Sequence, residues 1–235
     1  MSSVPAGRRR TLIFVHGVGV SHRYFERLRV ELAGEYAIHS IDLPGFGGLP
    51  KPAAAPDIGE SADLLAAVLD ELDVRNAVLV GHSMGVQWVT ELAVHRPDLA
   101  AMVVLMGPVT DDAARSLLVQ SFRLARDILG EPLSTNLTVF LDYLRCGPVW
   151  FLKHSRFMVP YPIEQRIARL TLPVLILRGA NDPIAGLDWC RRLRSYAADG
   201  TLVTVPGRRH NVNHSAPKAV AGALRAFVGR TAGAR

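Results

Sequence analysis

Ala77-Val-Leu-Val80-Gly81-His82-Ser83-Met84-Gly85-Val86-Gln-Trp88 reads as a strand, a tight turn and the start of a helix. Residues 77–80 are apolar without alternation, the pattern of a strand covered on both faces. Beyond the turn, Val86, Val89, Leu92 and Ala93 recur at helical spacing. Between them stands Gly-x-Ser-x-Gly, which in strand-to-helix context is a nucleophile elbow. The spacing has a steric reason. The serine stands on a turn too tight for a Cβ two positions away on either side, and Gly81 and Gly85 remove that clash. The hydroxyl then sits at a helix start, where free N–H groups and the helix dipole favour developing negative charge.

Five more apolar runs flank this segment, at residues 11–15, 37–41, 102–106, 174–177 and 202–205. Helical patterns separate them, such as Leu64, Leu65, Val68, Leu69 and Leu72, and finally Val220, Leu224, Phe227 and Val228. The alternation predicts a doubly wound α/β fold with a parallel sheet. One connection is too long. Residues 107–173 stand where a crossover needs about a dozen. Pro132, Pro148, Pro160 and Pro162 divide the stretch into three or four short helices. An insertion at the C-terminal edge of a parallel sheet sits over the ligand crevice. Residues 111–170 are therefore expected to form a helical cap. Residues 1–110 and 171–235 form the core of the same folding unit.

Composition narrows the function. The 235 residues are 49% hydrophobic and 20% charged, as expected of one globular domain. The net charge of +6 is uneven: residues 191–235 carry nine basic groups and one acid. Twenty-four of the 27 basic residues are Arg; those of the C-terminal basic segment, from Arg191 to Arg230, fall in separate elements with no aromatic interleaving, so nucleic acid is not expected as a partner. Gly45-Phe-Gly-Gly48 lacks the lysine and spacing of a phosphate loop. Cys146 and Cys190 are too few for a disulfide framework and are not spaced for a metal, so neither metal nor cofactor is expected. Arg8-Arg9-Arg10 before residues 11–15 mimics a signal peptide, but the apolar stretch is too short. No run approaches the roughly 18 apolar residues that span a membrane. A cytoplasmic protein without a membrane partner is expected.

Five motifs, each just after an expected strand, resemble the α/β-hydrolase superfamily. They are His16-Gly17-Val18-Gly19, Asp42-Leu-Pro-Gly45-Phe-Gly47, Gly81–Gly85, Gly179-Ala-Asn-Asp182-Pro-Ile184 and Pro206-Gly207-Arg-Arg-His210. The resemblance runs from about Thr11 to about Val228. It implies the α/β-hydrolase fold: a mostly parallel sheet of about six strands, with the helical cap after the fourth. Members commonly begin with an antiparallel hairpin. Only ten residues precede the first strand here, so the sheet is expected without it.

The resemblance implies a triad in the order Ser83, Asp182, His210. A serine needs a general base, and the imidazole needs an acid to fix its tautomer and stabilise the imidazolium. His210 lies on the loop after the last strand, seven residues before Pro217, where members often carry a proline. His214 is the competitor, one helical turn on. His16 and His82 read as structural, and Asp42 as a loop residue. Acyl transfer through serine also requires two pre-aimed N–H donors for the oxyanion. These are expected from Met84, directly after the serine, and by resemblance from Val18. Met106, Trp150, Phe151, Phe157, Met158 and Ile184 are expected to shape an apolar pocket. Arg208 and Arg209, abutting His210, are candidates for attracting an anionic substrate.

The expected activity is hydrolysis of an ester, thioester or lactone of a small hydrophobic substrate through an acyl-enzyme. Two readings share the fold: a biosynthetic enzyme using the triad for a non-hydrolytic step, and a ligand-binding receptor with slow turnover.

Overall fold

The computed structural model describes residues 9–112 and 115–230; Arg8 and the chain ends lie outside it. The elements follow in order: β1 (Thr11–Val15), α1 (Glu26–Leu32), β2 (Ala37–Ile41), α2 (Ile58–Glu71), β3 (Ala77–His82), α3 (Gly85–His95) and β4 (Ala100–Met106). The long insertion supplies α4 (Leu117–Ile128), α5 (Leu133–Cys146), α6 (Pro148–Met158) and α7 (Ile163–Ile167). The chain then returns through β5 (Val174–Gly179), α8 (Leu187–Tyr196), β6 (Gly200–Val205), α9 (Val212–Ser215) and α10 (Pro217–Arg230).

Among the described residues the strands form one six-stranded sheet in the order β2-β1-β3-β4-β5-β6. Every pairing is parallel. The apolar runs lack alternation because both faces are covered. Ile13, Val15, Leu79, Val103, Leu105 and Ile176 face the layer of α2, α3 and α8. Leu12, Phe14, Val78, Val80, Val104 and Leu177 face α1 and α10. Central β3 is buried throughout, whereas β2, at the edge, is half-buried at every residue.

Local chemistry sets the element ends. Asp57 and Glu60 form a capping box at the start of α2, each side chain accepting from the other's N–H at 2.9 Å. Gly147, at φ +72°, ends α5 in a conformation open to glycine, and Pro148 starts α6.

The strand register determines where the loops emerge. Val15 pairs with Gly81, His82 with Met106, Met106 with Leu177, and Gly179 with Val205. The C-terminal ends of β1, β3, β4, β5 and β6 therefore reach one sheet edge, and five loops leave side by side. The insertion leaves from the same edge. Its last helix, α7, buries Ile163 and Ile167 in the α3–α8 layer. Cys146 and Cys190 are free and buried.

Candidate active site

Ser83 follows β3 directly and has φ +55°, a left-handed conformation unusual for a side-chain-bearing residue. A Cβ on Gly81 would lie 2.4 Å from the Gly85 carbonyl oxygen, and one on Gly85 would lie 2.4 Å from the His16 and Val15 oxygens. The steric reading of the two glycines therefore holds, with one addition: Gly85 also admits the β1 loop. The Ser83 N–H donates to the Met106 carbonyl at 2.9 Å, which ties the turn to β4.

The loop after β1 lies against the serine. A Cβ on Gly17 would come within 2.8 Å of the Ser83 Cβ. Val18 and Ser83 line one cavity, and the Met84 side chain is buried. His16 holds this loop. It is wholly buried, with Nδ1 2.7 Å from the Gly17 oxygen and Nε2 accepting the Leu43 N–H at 3.1 Å. These bonds assign the neutral Nδ1–H tautomer. Burial, opposed by Asp42, keeps the His16 pKa below its ordinary value.

Asp182 sits on the loop after β5. Its Oδ1 accepts the N–H groups of Ile184 at 2.7 Å and Ala185 at 2.9 Å, and its Oδ2 lies 2.9 Å from His210 Nδ1. Burial alone would raise this carboxyl. The His210 charge and hydrogen bond, with the two N–H groups, outweigh it and hold the pKa below the ordinary value. Arg178, buried near the end of β5, donates to the oxygens of Ala185 at 2.6 Å and Ala180 at 3.2 Å, bracing the loop from beneath. A charged residue inside an apolar strand was the available sequence signal for this brace.

His210 is buried. Its Nε2 has no partner, and the residue lines the cavity that Ser83 also lines. Burial would depress its pKa, but Asp182, joined by Asp127 and Glu131, raises it to about 9. The loop is clamped from α4 and the turn that follows. Asp127 Oδ1 accepts the His210 N–H at 3.1 Å, and Glu131 Oε1 accepts the Asn211 N–H at 2.9 Å. Asp127 Oδ2 also accepts from the Asn211 side chain at 3.3 Å. Burial raises the pKa of both acids. Sequence reasoning missed this pair. Their signal was position: acids at the end of a helix oppose its dipole and need another reason to be there.

His82 Nε2 lies 3.2 Å from the Tyr24 hydroxyl and 3.1 Å from the His210 oxygen, and burial first, then the charge of His210, lowers its pKa to about 3. His214 Nδ1 instead meets the Thr135 hydroxyl at 3.0 Å, joining α9 to α5. Burial, then the Arg27 charge, brings the His214 pKa down to about 4.

Of the six residues expected to shape a pocket, Phe151, Met158 and Ile184 line the cavity. Met106 is buried with the sheet face that packs α1 and α10. Trp150 covers Gly45 and meets His154 edge-on, and Phe157 packs against the core. These three are not among the lining residues. Neither are Arg208, which is exposed, and Arg209, whose guanidinium donates to the Arg126 oxygen at 3.0 Å. Residues of the insertion, including Leu124, Asp127 and Tyr143, complete the wall. Among the described residues no group of three or more His, Cys, Asp or Glu is placed to hold a metal ion.

The parts now on one sheet edge are a hydroxyl on a left-handed turn, an imidazole that lines the same cavity with one buried nitrogen unpartnered among the described residues, and a carboxylate on its other nitrogen. The chain belongs to the alpha/beta hydrolase family, whose sequence model matches residues 12–223. It is similar to the (E)-2-((N-methylformamido)methylene)succinate hydrolase of Acinetobacter baylyi, at 23% identity over 243 residues, covering 96% of this chain and 92% of that protein. It is also similar to the pimeloyl-[acyl-carrier protein] methyl ester esterase of Vibrio cholerae, at 30% over 110 residues, covering 47% of this chain and 41% of that one. A thermophilic esterase of Thermogutta terrifontis shares the fold, with a TM-score of 0.80 at 21% identity over 95% of this chain and 91% of that chain.

Proposed function

We propose that this protein is a serine hydrolase that cleaves uncharged carboxylic esters with an apolar acyl part. One observation carries the reading. His210 Nδ1 is held by Asp182, while its buried Nε2 lacks a partner and shares a cavity with Ser83 on its left-handed turn. Ser83 Oγ attacks the ester carbonyl, and His210 Nε2 takes its proton. Asp182 stabilises the resulting imidazolium and stays ionised. The N–H groups of Val18 and Met84 hold the oxyanion. His210 returns the proton to the leaving alcohol, water then attacks the acyl-enzyme, and the acid is released. Helices α4–α6 act as a cap that excludes bulk water from the cavity.

The substrate class follows from the wall. Among the described residues no Lys or Arg lines the cavity, and Asp127 does. A dianion such as the succinate named for the Acinetobacter relative would meet a buried acid with no Lys or Arg to pair either of its charges. Leu124, Val139 and Met158, from α4, α5 and α6, line the cavity and suit an aliphatic chain instead.

A fluorophosphonate probe tests the nucleophile. Labelling of the native chain that disappears in Ser83→Ala supports the reading. Unlabelled native chain that still binds apolar esters would replace it with a receptor. Short p-nitrophenyl acyl esters should turn over faster than a p-nitrophenyl monosuccinate; the opposite order would overturn the substrate class.

A further inference from the structure

Three helices of the insertion expose apolar side chains on their outer faces. Helix α4 buries Gln120 and Asp127 but exposes Leu118 and Phe122, and Leu129 follows in its C-cap. Helix α5 buries Thr135 and Asp142 along with Val139 and Cys146, and exposes Leu133, Leu137, Phe140 and Leu144. Helix α6 exposes Val149 and Leu152. Exposure reaches 83% at Leu118, 86% at Leu133 and 89% at Leu129. In each helix the exposed apolar residues recur at helical spacing, so they form stripes. Asn136, in the first turn of α5, donates to the Ile128 oxygen at 2.9 Å, which joins the start of α5 to the end of α4. An apolar outer surface of this extent on consecutive helices marks an interaction site.

Charge identifies the occupant. All three acids of residues 115–160, Asp127, Glu131 and Asp142, are buried. The exposed charged residues of that stretch, Arg126, Arg145, Lys153 and Arg156, are all cationic. We propose that the outer faces of α4, α5 and α6 dock on an anionic lipid surface. Leucine and phenylalanine side chains enter the acyl boundary, while arginine and lysine meet the headgroups. A second copy of the chain fits less well, because a two-fold contact sets the same patch against itself, and with it cation against cation. Leu117 and Ile128, more than a third exposed, also line the cavity, so the surface runs on to its wall. Such docking is peripheral. The expectation of no membrane partner rested on the lack of a spanning run, and among the described residues no helix is long and apolar enough to cross a membrane; neither bears on an outer face.

Sedimentation of the full chain with phosphatidylcholine vesicles, with and without phosphatidylglycerol, tests the proposal. The native chain is expected to bind the anionic vesicles, and less so as salt rises. The Leu118→Ser/Phe122→Ser/Leu129→Ser triple variant should lose about tenfold or more in binding, as should Leu133→Ser/Leu137→Ser/Leu144→Ser on α5. Arg126→Gln/Lys153→Gln/Arg156→Gln should reduce binding to the level seen on neutral vesicles. Hydrolysis of a soluble p-nitrophenyl ester and far-UV circular dichroism confirm that each variant is folded. Ser83→Ala should bind vesicles as the native chain does, so failure of the hydrolase reading leaves this test intact. Absence of binding to anionic vesicles, or native-level binding by both folded leucine variants, would overturn the proposal. So would a native dimer, seen by sedimentation velocity, that the leucine substitutions dissolve without any vesicle binding.

Discussion

The sheet and the insertion follow opposite rules of burial. In β3 every side chain is buried, and the polar residues at its end, His82 and then Ser83, stand where the loops meet. In α4 and α5 Leu118, Leu133, Leu137 and Leu144 face outward, while Asp127, Thr135 and Asp142 are buried beside Val139 and Cys146. The sheet gains stability from the apolar area it removes from water. The insertion contributes less of this and is attached in part by polar contacts, chief among them Asp127 and Glu131 on the His210 loop and Thr135 on His214. A region built this way keeps its apolar surface for something outside the chain, and its grip on the site is electrostatic.

The largest expected effect belongs to the sheet edge. Ser83→Ala should lower kcat toward p-nitrophenyl esters by about 10³-fold or more while leaving the fold intact. Retention of activity within about tenfold of native, measured under saturating substrate, would move the chemistry away from the elbow. Next comes the sheet interior. Leu79→Ala opens a cavity in a fully buried strand and should cost about 2–5 kcal/mol in urea unfolding. A cost under about 1 kcal/mol would mean that the centre of the sheet does not anchor the fold.

The electrostatic grip is tested by pH. As base, His210 must be neutral, so kcat/KM should rise with pH through its pKa of about 9. Asp127→Asn keeps an acceptor for the His210 N–H but removes a negative charge that favours the imidazolium. The rising limb should therefore move to lower pH, by about one unit. A limb that stays in place would show that Asp127 only fixes geometry. The same shift has a consequence for stability. The folded pKa of His210 lies above its ordinary value of 6.5, so its contribution is complete below about 6.5 and is lost as pH rises through about 9.

The two regions also differ in how much the sequence disclosed. All six strands are legible as mostly apolar runs, most plainly at β1, β3, β4 and β5, where burial on both faces leaves little room for polar residues. The runs stop short at β3 and β5, where His82 and Arg178 continue the ladder without being apolar. Ser83, Asp182 and His210 are legible as positions after strands, since a parallel register delivers those positions to one edge. Arg178, Asp127 and Glu131 are not, because their roles depend on contacts with loops distant in sequence. In the insertion, apolar spacing reveals that helices exist but not which face is buried. Leu129 and Leu133 have the pattern of core residues and are exposed, while Trp150 and Phe157 pack on the core and not on the cavity.

That reversal supplies the smallest effect and the most discriminating one. A leucine that is as exposed in the folded chain as in the unfolded one adds no burial energy, so replacing it costs little. Leu129→Ser and Leu133→Ser should each change urea stability by no more than about 0.5 kcal/mol, against the several expected at Leu79. Serine forms helix slightly less well than leucine, so a small loss at Leu133, in the first turn of α5, falls within that range. A loss above about 1 kcal/mol in dilute solution would mean that the leucines are covered by another part of the assembly, and a loss that grows with protein concentration would identify a second copy as the cover. Unchanged stability together with weakened vesicle binding would instead separate the two regions cleanly: sheet leucines hold the fold, and insertion leucines hold the surface the protein works on.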